Sequence, residues 1–349
     1  MISPARQIAF EILRKVHHGG YASDLLFQRA AQLDSRDAGL ASEIVFGCLR
    51  FQAQLDYLIA RRVPRAPEPE VLIALRMGIY QLRYLDRIPP HAAVGESVEL
   101  VKRLGRAPAA GLVNAILRKT DRTPVPWPDR ATALSMPAWL LDKWDARFGR
   151  ETADQIATAF LQPAENYIAS TGRIQDIGAQ SIVPLLDLHP GQTFLDLCAA
   201  PGNKTAQAIQ QGVRAIACDI HFHRLKQMRD LNCSAVVLDA TQPLPFRGKF
   251  DRILIDAPCS GTGTLGRNPE IKWRLKPSDL IDLHAKQVAL VRQAIEHLCP
   301  GGRLVYSTCS LEKEENELVI QEIPGAWQTT VRLPGVNAGD GFFAAALSL

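Results

Sequence analysis

The 349-residue chain lacks any apolar run near the roughly 18 residues that a membrane-spanning helix requires. Its first residues, MISPARQIAF, lack the charged-then-apolar order of a secretory signal. The seven cysteines contain no C-x-x-C pair and are scattered, which is typical of free thiols in a reducing compartment rather than of a disulfide framework. We therefore expect a cytoplasmic protein without a membrane partner.

Charge is unevenly distributed along the chain. Residues 1–125 hold 18 Lys and Arg against 12 Asp and Glu, whereas residues 126–349 hold 22 against 24. A basic first region is typical of a domain that binds a polyanion such as RNA. An arginine-rich solvated surface gives the same count, so charge alone favours neither interpretation.

Residues 1–125 show helical periodicity throughout. Ile8, Ile12 and Val16 recur every four residues, and similar stripes follow further along the chain. The segment TPVPWP, residues 123–128, interrupts this pattern with three prolines and indicates a boundary. A short helical stretch is predicted over residues 137–161.

From about residue 190, short β-rich runs alternate with helical ones. The runs are TFLDLC, VRAIACD, SAVVLD, FDRILIDA and GRLVYSTC. Apolar strands that alternate with helices predict a parallel sheet covered on both faces. Ligands of such sheets bind at the carboxyl ends of the strands, so the polar residues there are candidates for a site.

The loop after the first predicted strand, DLCAAPGNKT (residues 196–205), has small residues that let a ligand approach the backbone. A phosphate-binding P-loop is excluded because Asn203 separates Gly202 from Lys204, and the dinucleotide fingerprint G-x-G-x-x-G is absent from this loop. S-adenosylmethionine is the remaining cofactor that suits this loop. Its methionine carboxylate would lie at the start of the following helix.

Carboxylates at the ends of successive strands support this cofactor. Asp219 is placed to accept both hydroxyls of a ribose, Asp239 to receive an adenine amino group, and Asp256 follows the fourth strand. One such Asp is more often only a turn former, but four of them, counting Asp196 at the end of the first strand, beside a glycine-containing loop argue against that interpretation for the set. The predicted cofactor residues are Cys198, Ala199, Ala200, Pro201, Gly202, Asn203, Lys204, Asp219, Asp239 and Asp256.

Two cysteines lie just past strand ends: Cys259 in DAPCSGTG and Cys309 in YSTCSLEKEEN. Together with DLCAAPGNK, these motifs resemble the RsmB (Sun, Fmu) family of ribosomal RNA cytosine-5 methyltransferases. The first half, with ARQIAFEILRKV, EIVFGCLR, LIALRMGIYQL and NAILRK, resembles the NusB-like helical RNA-binding domain of the same family. The resemblance extends over nearly the whole chain.

The resemblance implies an all-α NusB-like domain (residues 1–125) followed by a Rossmann-like α/β methyltransferase domain (residues 171–349). Residues 126–170 would form a linker helix and a shortened remnant of the family's RNA-binding segment, because the small α/β segment of the family is largely missing here. Asn203 stands where the family has Gly, and Asn tolerates a positive φ there.

The resemblance also implies a mechanism and a substrate. Cys309 is the expected nucleophile on carbon 6 of cytosine, Cys259 assists breakdown of the adduct, and Asp256 hydrogen-bonds the ring. Small-subunit ribosomal RNA is the expected partner of a monomer. Contacts to RNA phosphates and bases are predicted for Arg267, Lys272, Trp273 and Arg274, with a solvated loop as the alternative.

Other chemistries have less support in the sequence. His221 and His223 have no accompanying cluster of ligands, so we expect no metal. A DNA cytosine methyltransferase would use Cys259 as its nucleophile, but such enzymes do not combine it with STCS or with NusB-like helices. A non-catalytic RNA-binding or ribosome assembly factor with a retained cofactor site is the second alternative.

Overall fold

The computed structural model describes residues 2–30 and 32–349. The chain forms two compact units. The helical unit comprises Met1–Pro163 together with Gly266–Trp273, and the α/β unit comprises Ala164–Leu265 and Arg274–Leu349. The compact units divide after Pro163. The domain boundaries at residues 125 and 170 that the sequence suggested stay a prediction.

The described residues of the helical unit form ten successive α-helices. They are α1 (Pro4–His17), α2 (Ala22–Ala30), α3 (Ser35–Arg50), α4 (Gln52–Ala60), α5 (Pro69–Tyr84), α6 (Pro90–Arg103), α7 (Ala110–Arg118), α8 (Arg130–Ala133), α9 (Ala138–Phe148) and α10 (Arg150–Ala159). The periodic residues Ile8, Ile12 and Val16 lie buried in one continuous core. The helical stretch expected over residues 137–161 is two helices, because Gly149 adopts φ +80° between them.

The segment Gly266–Trp273 packs on the carboxyl end of α3. The Lys272 Nζ donates to the Arg50 carbonyl oxygen at 2.9 Å, and the Trp273 Nε1 donates to the Leu49 carbonyl oxygen at 2.8 Å. The last carbonyls of a helix have no partner within it, and a cation there interacts favourably with the helix dipole. This segment therefore completes the helical unit by capping one of its central helices.

The α/β unit contains one seven-stranded sheet. Its strands are β1 (Thr193–Asp196), β2 (Arg214–Asp219), β3 (Ser234–Val237), β4 (Phe250–Asp256), β5 (Leu298–Thr308), β6 (Gln328–Arg332) and β7 (Phe342–Ser348). The order is β3-β2-β1-β4-β5-β7-β6. Strands β1–β5 are mutually parallel, whereas β7 pairs antiparallel with both β5 and β6. The predicted fold class, an all-α domain followed by a Rossmann-like α/β domain, is confirmed.

The strands bury side chains on both faces of the sheet. Ile253 and Ile255 pack on one face with the long helix α15 (Pro277–Glu296), and Leu254 packs on the other face with the helix α12 (Asn203–Ile209). Burial on both faces explains why the central strands read as continuous apolar runs. The order of the strands reverses between the parallel neighbours β1 and β4: β2 and β3 follow on one side of the sheet, and β5 lies on the other. A ligand site is expected at the carboxyl ends of β1 and β4.

Little structure lies between α10 and β1. The described residues there contain the four-residue helix α11 (Ile177–Gln180), a 3₁₀ turn (Val183–Leu186) and an isolated bridge between Ile168 and Ile174. Two further α-helices belong to the α/β unit, α13 (Phe222–Leu225) and α16 (Glu317–Gln321), whereas the short α14 (Ile271–Arg274) begins in the Gly266–Trp273 segment of the helical unit. None of the described helices is both long and apolar enough to cross a membrane.

Candidate active site and cofactor site

The loop after β1 closes on the end of β2. The Ala199 N–H donates to the Cys218 carbonyl oxygen at 2.8 Å, and the Ala200 N–H donates to the Asp219 carboxylate at 3.3 Å. Arg173 donates to the Pro201 carbonyl oxygen at 3.4 Å. Burial raises the pKa of the Cys198 thiol well above its usual value. The predicted cofactor loop is therefore a compact turn beside the carboxyl end of β2.

Gly202 occupies a position in this loop where both the backbone conformation and the space require glycine. It adopts φ +99° before α12, and a Cβ at this position would lie 2.8 Å from the Met228 Cγ. Asn203 was expected to accommodate a positive φ, and that expectation is wrong, because the left-handed residue is Gly202 and Asn203 is already helical. The Asn203 side chain instead donates to the Ile174 carbonyl oxygen at 3.2 Å.

Lys204 reaches across to the end of β4. Its Nζ donates to the Asp256 Oδ2 at 2.6 Å, and the two side chains are 11% and 32% exposed. The other carboxylate oxygen accepts a hydrogen bond from the Ser307 Oγ at 3.0 Å, and Ser307 stands opposite Asp256 in the β4–β5 register. The sequence grouped Lys204 with the cofactor loop, whereas its contact is with the strand that precedes Cys259.

A buried carboxylate lies beneath this ion pair. Asp196 is fully buried at the end of β1 and accepts a hydrogen bond from the Thr205 Oγ1 at 2.7 Å. Burial raises the pKa of Asp196 to about 7, and the negative charge of Asp256 adds to the rise. This residue holds the start of α12 onto β1.

Asp219 and Asp239 are engaged mainly by their own loops. The Asp219 Oδ1 accepts from the His221 N–H at 2.8 Å, and its side chain is buried. Asp239 is exposed and accepts from the Thr241 N–H at 3.0 Å and the Thr241 Oγ1 at 2.7 Å. Both carboxylates shape turns at neighbouring strand ends, and their expected contacts with a ribose and an adenine remain predictions.

Apolar side chains missed by the sequence analysis flank these carboxylates. Ile220 is 56% exposed, Phe222 is 61% exposed, and Val237, which stands opposite Asp219 in the β2–β3 register, is 50% exposed. Exposed apolar side chains beside an acidic pair suit an aromatic ring with polar edges. The signal in the sequence was an isoleucine directly after the strand-end aspartate in ACDIHF.

The two cysteines after β4 and β5 meet. The Cys259 Sγ lies 3.3 Å from the Cys309 Sγ, and both side chains are half-buried. The loops are joined by backbone contacts as well: the Gly263 N–H donates to the Cys309 carbonyl oxygen at 2.9 Å. A Cβ on Gly263 would lie 2.4 Å from the Gly341 carbonyl oxygen, so this close approach requires glycine.

The environment keeps the Cys259 thiol protonated. The hydrogen bond with Cys309 and then burial raise the pKa of Cys259 well above its usual value, and the charge of Glu315 contributes in the same direction. A protonated Cys259 can donate to its neighbour, which then acts as the acceptor of the pair. The arrangement therefore pairs one thiol that holds its proton with a second thiol at a neighbouring strand end.

The four predicted RNA contacts do not share one environment. The contact predicted for Lys272 is wrong in this structure, because its side chain is 1% exposed and its ammonium caps α3. Burial also lowers the pKa of Lys272 to about 7. Trp273 is half-buried with its indole N–H on the Leu49 carbonyl. Arg267 and Arg274 are half-exposed, and their contacts with RNA remain predictions.

Histidines and acidic groups do not assemble around a common point in the described residues. His221 and His223 have ring centroids 5.5 Å apart. No group of three or more His, Cys, Asp or Glu side chains is arranged to hold a metal in the part of the chain that the structure describes.

A Rossmann-like sheet with a glycine turn, strand-end carboxylates and a cysteine pair defines a methyltransferase-type site. The family model described as 16S rRNA methyltransferase RsmB/F matches residues 183–333, and the NusB family model matches residues 3–122. The crystal structure of PH0851 has the same fold over the whole of both chains, with a TM-score of 0.81 and 20% identity.

Curated relatives agree with the family models. The ribosomal RNA small subunit methyltransferase B of Thermus thermophilus is 34% identical over 90% of this chain and 86% of its own. The protein of the same name from Cronobacter sakazakii is 30% identical over 98% of both chains, and the probable one from Bacillus subtilis is 30% identical over 90% and 87%. The chain belongs to the RsmB/F family of 16S rRNA methyltransferases, as its motifs predicted.

The relatives are longer than this chain. The alignment with the Cronobacter protein extends over 422 positions, whereas this chain has 349 residues. That relative therefore contains residues without a counterpart in this chain.

Proposed function

We propose that this protein transfers a methyl group from S-adenosylmethionine to carbon 5 of a cytosine in small-subunit (16S) ribosomal RNA through a covalent adduct with Cys309. The observation that carries the proposal is the 3.3 Å approach of the Cys259 and Cys309 sulfur atoms, both half-exposed, at the carboxyl ends of neighbouring strands. A nucleophile, Cys309, and a second group that carries a proton, Cys259, would therefore both be within reach of a single cytosine.

Cys309 supplies the nucleophile. Its sulfur forms a bond with carbon 6 of the cytosine, which makes carbon 5 electron-rich enough to accept the methyl group. After transfer, the proton on carbon 5 is lost and the sulfur–carbon bond breaks to restore the aromatic ring. Cys259 assists this release: it donates its proton to the departing Cys309 sulfur, and the thiolate that it becomes accepts the proton lost from carbon 5.

Asp256 and Lys204 act on the ring. Their ion pair, with 32% of the Asp256 side chain exposed, is at the end of the strand that leads to Cys259. Asp256 orients the base by accepting a hydrogen bond from its amino group, and the Lys204 ammonium offsets the charge that develops on the ring as Cys309 attacks.

The cofactor site suits S-adenosylmethionine, which supplies an electrophilic methyl group. The acidic and apolar residues after β2 and β3 have the chemistry of a nucleoside site, with Asp219 for the ribose, Asp239 for the adenine amino group, and Ile220 and Phe222 for the ring. The loop Cys198–Lys204 would hold the methionine end, since Gly202 leaves its backbone open to close approach.

The substrate assignment rests on the relatives and on charge. Relatives named ribosomal RNA small subunit methyltransferase B match nearly the whole chain, and residues 1–125 carry the basic excess. We propose a cytoplasmic monomer without a metal requirement, whose NusB-like domain holds the ribosomal RNA. All seven cysteines are free thiols, as a reducing compartment would maintain them.

The decisive experiment compares two cysteine variants. Cys309→Ala should abolish methyl transfer to 16S ribosomal RNA, whereas Cys259→Ala should accumulate a covalent protein–RNA complex that survives a denaturing gel. Cys299→Ala, a half-buried thiol elsewhere on the sheet, is the matched control and should behave as wild type. Bisulfite sequencing of the product reads the position of the methyl group.

Other outcomes favour the alternatives. A trapped complex from Cys309→Ala and none from Cys259→Ala, together with methylation of DNA, would identify a DNA-type cytosine methyltransferase. Binding of RNA and S-adenosylmethionine without transfer to naked RNA or to small-subunit particles would identify a non-catalytic assembly factor.

A further inference from the structure

Glu315, in the EEN segment after Cys309, is a buried carboxylate that the proposed chemistry does not use. It is fully buried, and four donors surround it: the Ser260 N–H at 2.7 Å, the Ser260 and Ser310 hydroxyls, and the Gln287 Nε2 at 3.1 Å. A buried carboxylate is costly unless its oxygens are hydrogen-bonded. Here they are, but only by neutral groups, since no Lys or Arg pairs with Glu315 in the described parts of the chain.

The donors come from equivalent positions in the two cysteine loops. Ser260 follows Cys259, Ser310 follows Cys309, and their hydroxyl oxygens lie 3.1 Å apart. Both donate to the same carboxylate oxygen of Glu315. One side chain therefore fixes the distance between two loops whose reactive sulfur atoms are 3.3 Å apart.

Glu315 and Gln287 hold the backbone on the two sides of Cys259. Its following amide, the Ser260 N–H, donates to Glu315, and its preceding carbonyl, that of Pro258, accepts from the Gln287 Nε2 at 2.9 Å. The Glu315 carboxylate is thus bonded directly to the peptide group that follows Cys259. On the Cys309 side, the contact runs through the Ser310 hydroxyl, and the neighbouring Asn316 Nδ2 donates to the Ser310 carbonyl oxygen at 2.9 Å.

An unneutralised negative charge disfavours a second negative charge nearby. Two thiols at 3.3 Å cannot both ionise without strong repulsion, so any asymmetry in their surroundings decides which one becomes the thiolate. Glu315 supplies such an asymmetry, because its carboxylate accepts from the amide next to Cys259 and reaches Cys309 only through a hydroxyl. The direction of the pKa shift at Cys259 agrees with this geometry.

We propose that Glu315 is a positioning residue that aligns the two thiols through Ser260 and Ser310 and keeps the shared proton on Cys259, so that Cys309 is the group that ionises. This inference rests on the proposed function for its assignment of roles. It gives the EEN segment a task in the reaction: selection of the nucleophile rather than contact with RNA or cofactor.

The test measures thiol ionisation without RNA or cofactor. Iodoacetamide is added to the full-length protein between pH 6 and 10, and mass spectrometry gives the alkylation rate of each cysteine. In the wild type, Cys309 should react faster than Cys259 at pH 8. Glu315→Gln retains the side-chain size but removes the charge, and it should raise the Cys259 rate at pH 8 about tenfold, because loss of the nearby negative charge lowers the pKa of the Cys259 thiol. Glu314→Gln, the same change one residue earlier, should leave both rates unchanged.

A second variant separates charge from simple packing, and it remains available if Glu315→Gln does not fold. Ser260→Ala keeps the carboxylate but removes one of its donors, so Cys259 should react no faster than in the wild type. Faster Cys259 alkylation in Ser260→Ala, or an unchanged Cys259 rate in a folded Glu315→Gln protein, would overturn the proposal. A wild-type protein that methylates no RNA would contradict the proposed function instead, and the shift in Glu315→Gln would still support this role for Glu315.

Discussion

The carboxyl edge of the sheet has two halves that are built differently. In the cofactor half, after β2 and β3, Asp219 and Asp239 are held mainly by backbone and hydroxyl groups of their own or adjacent loops. In the cysteine half, after β4 and β5, several polar side chains bond to residues about 50 positions away in sequence, as Asp256 does to Lys204 and Cys259 to Cys309. The first half is specified locally and the second by the tertiary fold, so substitutions should have larger effects in the second.

Apart from the loss of Cys309 itself, the largest effect is expected from Lys204→Met, which acts on Asp256 in the cysteine half. It removes the only cation bonded to Asp256 in the described residues and leaves a partly buried carboxylate without compensation. Methyl transfer should fall roughly 100- to 1000-fold, the usual cost of losing one preorganised electrostatic group. Single-turnover transfer to ribosomal RNA measures it. Lys286→Met, an exposed lysine on α15, is the control, and equal losses in both variants would remove Lys204 from the reaction.

A moderate effect is expected in the cofactor half. Asp219→Ala should weaken S-adenosylmethionine binding by about 1–3 kcal/mol, because it loses a buried carboxylate that also holds the Ala200 amide. Asp239→Ala should cost less, since Asp239 is exposed. Titration calorimetry compares both with Asp282→Ala on α15. A larger loss in Asp239→Ala than in Asp219→Ala would reverse the proposed order of these contacts.

The buried Asp196, at the end of β1 between the two halves, should make the stability of the fold depend on pH. The pKa of Asp196 is raised from 3.8 to about 7, so the folded state holds this proton more tightly than the unfolded state does. The resulting stability is present at low pH and is lost as the pH rises through about 7. The amide side chain of the variant Asp196→Asn cannot ionise, so the variant should not lose this stability. From pH 5 to pH 8, the difference in free energy of unfolding between Asp196→Asn and the wild type should therefore shift in favour of the variant by on the order of 2 kcal/mol. Urea unfolding at both pH values measures this, and a constant difference would mean that Asp196 is ionised throughout.

The smallest effects are expected in the segment between Cys259 and β5. Arg267→Ala and Arg274→Ala should each reduce the salt dependence of RNA affinity by about one contact, if these half-exposed residues bind phosphates. Lys272→Met should leave RNA affinity and its salt dependence unchanged, because the buried ammonium caps α3. RNA affinity at several salt concentrations, with thermal unfolding as a control for Lys272→Met, distinguishes the three. An RNA defect in a stably folded Lys272→Met protein would restore its predicted role.

The same contrast explains what the sequence could predict. The five parallel strands and the loop Cys198–Lys204 are specified by local patterns, and the structure has the strands where the patterns predicted them. Strands β6 and β7 were missed because β6 is almost wholly exposed, whereas the alanine-rich β7 is buried on both faces, so neither shows an alternating pattern. Lys272 was misassigned because a lysine in a polar loop is normally solvated, and only the tertiary fold brings it to the end of α3. The Glu315 cluster was missed for the same reason.

The segment Gly266–Trp273 has a consequence for the order in which the protein can fold during synthesis. The rest of the helical unit ends at Pro163, so its last part is translated more than a hundred residues later. At about 5–20 residues per second, the ribosome adds those residues over roughly 5–20 s. During that interval, α3 has emerged without the groups that bond its final carbonyls. A nascent chain stalled before Gly266 should therefore expose the end of α3 to proteases, and one extended beyond Trp273 should protect it.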